Sequence, residues 1–128
     1  MNEKKPSEII EDFLDLLNNC NEEYKQCVEK VWKYDKMSQD QLHDIEFANN
    51  YDERCKISTR IHKERIMRRE YKDRVEMVEK ITAFCSDKQN KQFIDRLKQL
   101  LKEQKRVEDY VGGERHYNRR VVSEDDTH

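Results

Sequence analysis

Apolar residues recur at alternating spacings of three and four along most of the chain, and this pattern predicts four helices. The first series is Ile10, Phe13, Leu17, Cys20, Tyr24, Cys27, Val31 and Tyr34, a heptad seam extended by Leu14, Val28 and Trp32. It predicts a helix over 7–36, with Ser7 as N-cap just after Pro6, and with Glu8, Glu11 and Asp12 suiting the positive end of the helix dipole. Ser38, followed three residues later by Gln41, reads as a capping box and predicts a short helix over 39–48 carrying Leu42 and Ile45. Asn49-Asn50 predicts a break, because asparagine competes for backbone hydrogen bonds and tolerates turns. Asp52 then caps a third helix over 52–85, with the apolar line Ile57, Ile61, Met67, Tyr71, Val75, Val78, Ile81 and Phe84 or Cys85. Asp87 caps a last helix over 88–111 with Phe93, Leu97, Leu100, Gln104, Val107 and Val111, and Gly112-Gly113 ends it. Residues 114–128 read as an extended or flexible tail.

The helix breakers agree with this pattern. Pro6 is the only proline, and Gly112 and Gly113 are the only glycines. Glycine costs about 1 kcal/mol and proline about 3 kcal/mol inside a helix, so the stretch between them is free to be helical. The expected fold is all-α, an elongated antiparallel helical bundle of helical hairpins with coiled-coil character, in a single domain over 1–113. Short connections predict that the last helix folds back on the third, pairing Phe93, Leu97 and Leu100 with Phe84, Val78 and Val75. A hairpin about residue 37 would set Glu8, Glu11, Asp12 and Asp15 opposite Met67, Glu64, Lys63 and Arg60. Charged residues make up 42% and apolar ones 34%, a lean core that leaves part of each seam uncovered, so a homo-oligomer is expected, a dimer above all.

The net charge of −2 conceals an asymmetry: 7–53 carry 13 acids and 4 bases, and 54–74 carry 9 bases and 3 acids. The basic block of Arg60, Lys63, Arg65, Arg68, Arg69, Lys72 and Arg74 is the strongest candidate binding surface, for nucleic acid or a protein partner. Its alternative is a solvated face, neutralised by the first helix. After the glycines, Arg115, His116, Tyr117, Arg119 and Arg120 form a second basic-aromatic candidate. A pI near 6.1 argues against tight non-specific DNA binding. Cys20, Cys27, Cys55 and Cys85 form no C-x-x-C pair, and reduced, packed thiols in a cytoplasmic protein are the expectation. No signal peptide or membrane span is read from the sequence.

Motifs for chemistry are weak. Asp40-x-x-His43 is half of a di-metal carboxylate–histidine motif, and the other half is missing. Glu8-x-x-Glu11, Asp12-x-x-Asp15 and the ladder Glu70, Asp73, Glu76, Glu79 put carboxylates on shared helix faces, as in all-α Mg²⁺-dependent nucleotide pyrophosphatases. Such density also arises by chance in a chain this charged. Cys55 and His62 lie two turns apart, beyond hydrogen-bond reach. No catalytic residue, cofactor or metal ligand is assigned.

A further pattern spans about 34–121. It comprises Tyr34-Asp35-Lys36-x-x-Gln39-Asp40-x-Leu42-His43, Tyr51-x-Glu53-Arg54-x-Lys56-Ile57, Arg65-x-x-Arg68-Arg69-x-x-Lys72-Asp73 and Arg115-x-Tyr117-x-x-Arg120-Val121. It resembles small helical proteins encoded in phages and prophages of Firmicutes. The resemblance implies a mobile-element protein working in a bacterial cytoplasm, and it carries over no activity. The functional expectation is a non-enzymatic protein–protein interaction module acting on a host regulatory or defence protein. The alternatives are a nucleic-acid-binding accessory protein and a nucleotide hydrolase.

Overall fold

The structure is a computed structural model that describes residues 3–114 and residue 117. Among these residues the fold is all-α, with three helices: α1 (Pro6–Glu46), α2 (Tyr51–Ser86) and α3 (Lys88–Gly112). At 1.5 Å per residue α1 is about 60 Å long, α2 about 54 Å and α3 about 37 Å. No helix among the described residues is long and apolar enough to cross a membrane.

The two helices expected over 7–36 and 39–48 are one. The Ser38–Gln41 signal does not start a helix, because both side chains belong to a seam that continues through them. Inward positions on α1 run Leu17, Cys20, Tyr24, Cys27, Val31, Tyr34, Ser38, Gln41 and Ile45 without a change of spacing. Ser7 is not the N-cap either: Lys5 holds that place, Pro6 begins the helix, and Ser7 is buried one residue further in. Of the expected flanking residues, Val28 and Trp32 are exposed, and the Lys36 ammonium lies over the Trp32 ring at 3.9 Å.

The break at Asn49-Asn50 is present and forms the hairpin turn. Asn50, not Asp52, is the N-cap of α2, its side chain accepting from Glu53 N–H at 2.9 Å. Glu53 answers by accepting from Asn49 N–H at 2.8 Å, a reciprocal arrangement that satisfies both ends of the first turn. The reversal therefore lies at residues 47–50, not near residue 37 as expected.

α2 runs antiparallel to α1. Thr82 lies against the Cys20 carbonyl, Arg74 against Glu23, Tyr71 stacks on Tyr34 with ring centroids 5.9 Å apart, and Arg68 bonds Asp35. The inward line of α2 is Ile57, Ile61, Glu64, Arg68, Tyr71, Val75, Val78 and Cys85. Met67, expected in this line, faces outward, and two charged residues stand in the seam instead. Leu17, Cys20, Cys27, Val78 and Cys85 are the buried apolar residues, and all four cysteines are free, with Cys55 alone exposed.

α3 does not fold back on α2. Lys105 pairs with Glu11 and Ser7 bonds Glu108, so α3 lies antiparallel to the N-terminal part of α1 and runs in the same sense as α2. The cause is the connection. Asp87 is the only residue between the two helices, extended at φ −67°, ψ 133°, and reversing a chain between helices takes a loop of about 2–5 residues. A single extended residue instead steps the axis sideways. The step is held by Asp87, whose carboxylate caps Gln89 N–H at 2.8 Å, and by Asn90, which donates to the Phe84 carbonyl at 3.0 Å. Gly112 closes α3 with Gly113 as an extended C-cap, without a left-handed residue.

Replacing Leu17, only 6% exposed, by alanine is expected to cost about 2–4 kcal/mol in urea unfolding. Met77→Ala, at a residue 80% exposed on α2, should stay within about 0.5 kcal/mol. Equal costs at the two positions would contradict this packing.

Candidate interaction surface

Where α2 stops, α1 goes on. Beyond Leu17 the α1 face that met α2 continues as Phe13 and Ile10, with Leu16 and Ile9 beside it, and Ile9, Phe13 and Leu16 are exposed. α3 covers only the adjacent side. Its inward residues are Asn90, Ile94, Leu97, Leu101, Gln104 and Glu108. One helical step round, Phe93, Leu100, Val107 and Val111 are 50%, 44%, 54% and 57% exposed. Lys105, on the opposite flank of α3, reaches Glu11. Helical phase in antiparallel neighbours then turns the Phe93–Val111 stripe toward the line that α2 would have followed.

By helical phase the exposed residues of α1 and the stripe of α3 flank an open apolar groove beyond the end of α2, with a recess near each end. Between α1 and the end of α2, Phe13, Leu16, Leu17, Ile81 and Phe84, with Lys80, line a recess of about 290 Å³. At the other end Lys5, Gln104, Val107, Glu108, Val111 and Gly112 line one of about 380 Å³.

One carboxylate holds the groove's two walls together. Glu108 accepts from Ser7 N–H at 2.9 Å and from the Ser7 hydroxyl at 2.5 Å, and Gln104 donates to it at 3.0 Å. Lys5 supplies no side-chain cap to α1, so Glu108 supplies one from the other helix, adding a negative charge at the positive end of the α1 dipole. The Ser7 hydroxyl chiefly holds the Glu108 carboxyl below the usual carboxylate range; desolvation opposes this, and Gln104 and the Ser7 amide add to it.

The basic residues of α2 do not form one stripe. Arg68 stands in the seam on Asp35 at 2.5 Å, and Arg74 reaches Glu23 at 4.0 Å on one flank, which Arg60 shares at the same heptad position. Arg65, Arg69 and Lys72 lie exposed on the other flank, and Lys63 points away from α1. α1 therefore neutralises part of the block, but through Asp35 and Glu23. The acidic N-terminal residues have other partners: Glu11 holds Lys105 and Asp12 holds Lys4. Tyr117 is exposed, and Arg115, His116, Arg119 and Arg120, with the other tail residues beyond Glu114, lie outside the described residues.

The acid ladders do not meet. Glu70–Glu79 lies along the part of α1 beyond Glu23, about 13 Å from Asp15 at the helical rise. Among the described residues no three His, Cys, Asp or Glu side chains are grouped to hold a metal ion.

Sequence reasoning missed the outward stripe of α3 and the Ser7–Glu108 contact. The stripe had a signal in the doublets Phe93-Ile94 and Leu100-Leu101, which put apolar residues on two faces of one helix. The contact had none, since the two residues are 101 positions apart. Comparison with protein-family models, curated proteins and solved structures found no match to the chain.

Because the folded-state pKa of Glu108 is depressed, its contribution is complete above the ordinary glutamate range and is lost as pH falls through the depressed value. Urea unfolding of the wild type and Glu108→Gln across pH should show a stability gap at neutral pH that closes in acid. A gap independent of pH would contradict the assignment.

Proposed function

We propose that the chain is a non-enzymatic, helical protein–protein interaction module of phage or prophage origin. Its hairpin has coiled-coil character, and its working surface is the groove between α1 and α3. The observation that supports this reading is the groove itself. Ile9, Phe13, Leu16, Phe84, Phe93, Leu100, Val107 and Val111 are large apolar residues left exposed at one end of the molecule. Contiguous apolar surface of this kind marks interaction sites in soluble proteins. A partner that seats an apolar helical stripe there would complete the layer that α2 leaves unfinished.

The test compares the full chain with a Phe13→Glu/Val107→Glu variant, both positions being solvent-exposed. Association is read by sedimentation of the purified chain and by capture of proteins from nuclease-treated bacterial lysate. The reading expects association, with itself or with a foreign polypeptide, that the variant loses while its helical circular dichroism is unchanged. Association indifferent to the variant, or no association at all, would overturn it.

A second reading is supported by Arg65, Arg69 and Lys72, which share one exposed flank of α2 at spacings of four and three. Such a line can follow phosphates. On that reading RNA or DNA binds with a salt dependence that Arg65→Glu/Arg69→Glu reduces, since each lost phosphate contact lowers the slope by about one. Binding that ignores both salt and these substitutions would dismiss it.

A further inference from the structure

We infer that the occupant of the groove is a second copy of this chain, docked antiparallel through α3 about a two-fold axis near Leu100. The inference rests on the interaction-module reading and names its partner. Two features of the chain select a second copy.

The first is area. The chain exposes 11234 Å², whereas a compact monomer of 15.7 kDa exposes about 7,300 Å². A standard interface removes about 800 Å² from each partner, and the exposed apolar stripe open to one runs for five turns of α3.

The second is self-complementarity. The exposed stripe is nearly symmetric about its own middle: Phe93 and Val107 are each seven residues from Leu100. In an antiparallel pair centred there, Leu100 meets Leu100 of the second copy and Phe93 meets Val107. Arg96 and Glu103 border the stripe on its solvent side, both exposed and neither with an ion-pair partner among the described residues. The same two-fold brings Arg96 of one copy beside Glu103 of the other, twice. An isologous contact requires a patch that satisfies its own charges, and this one does. A parallel two-fold pair would put the two copies of this flank on opposite sides of the interface, leaving Arg96 and Glu103 without each other.

The test uses the full chain with Cys55, the exposed cysteine, replaced by serine. Sedimentation at tens of micromolar should give twice 15.7 kDa. Leu100→Cys should form an intermolecular disulfide under mild oxidation, and Met77→Cys, on α2 and outside the α3 stripe, should not. Leu100→Glu should leave a monomer of unchanged helicity. Arg96→Glu and Glu103→Arg should each weaken the dimer at least tenfold, and the double exchange should restore it. A monomer at that concentration would overturn the inference. So would a dimer untouched by Leu100→Glu, or one crosslinked at Met77→Cys instead. If the monomer still captures a foreign protein through Phe13 and Val107, the interaction-module reading stands and only its named partner fails.

Discussion

A helix that packs through a heptad seam buries one stripe, and α1 carries such a stripe for about 60 Å. Something must cover it along that whole length. α2 covers the part from Leu17 to Ile45, where Cys20, Cys27, Val78 and Cys85 are buried and Tyr34 stacks on Tyr71. Nearer the N-terminus α2 has ended, and cover comes from α3, which lies on the neighbouring side of α1. The step at Asp87 thus decides the architecture. It lets one chain cover a long helix in two pieces and leaves the apolar faces of both pieces open where they fail to line up.

The seam is not apolar throughout. Toward the turn it holds Ser38 and Gln41 on α1 and Glu64 and Arg68 on α2, joined by the Gln41–Glu64 hydrogen bond and the Arg68–Asp35 pair. A polar layer in a heptad seam lowers stability relative to leucine but penalises every other register, because a slip of one heptad leaves these groups without partners. The same logic holds at the other end, where Glu108 and Ser7 fix how far α3 slides along α1. The hairpin is therefore set by apolar burial in its middle and by polar pairs at both ends.

Much of this was legible in the sequence. The absence of glycine and proline between Pro6 and Gly112, and the spacing from Leu17 to Tyr34, were sufficient for the all-α fold and the core of the seam. The turn at Asn49-Asn50 and the cap at Asp87 were visible for the same local reasons. Ser38 misled because a capping signature is local, whereas its role is tertiary: it stands in a seam with α2, where the neighbouring Gln41 bonds Glu64, 23 residues away. The direction of α3 was misread for a different reason. Local sequence shows that a helix stops at Ser86 but not whether one residue or several leave helical geometry, and that number separates a sidestep from a reversal. The groove follows from that direction, so the basic block drew attention while the groove stayed hidden.

The groove, the Glu108 clamp and the proposed dimer all depend on the direction of α3, and one distance tests it. Spin labels at Lys63→Cys and Asp109→Cys, both exposed, go into a Cys55→Ser chain diluted in unlabelled protein. Glu108 lies at the level of Ser7, and Glu64 at the level of Gln41, so the helical rise places the labels about 50 Å apart. A pulsed electron-paramagnetic-resonance distance near that value would bear out the sidestep. A distance below about 20 Å, as expected where neighbouring helix axes lie about 10 Å apart, would mean that α3 folds back on α2, and would contradict it.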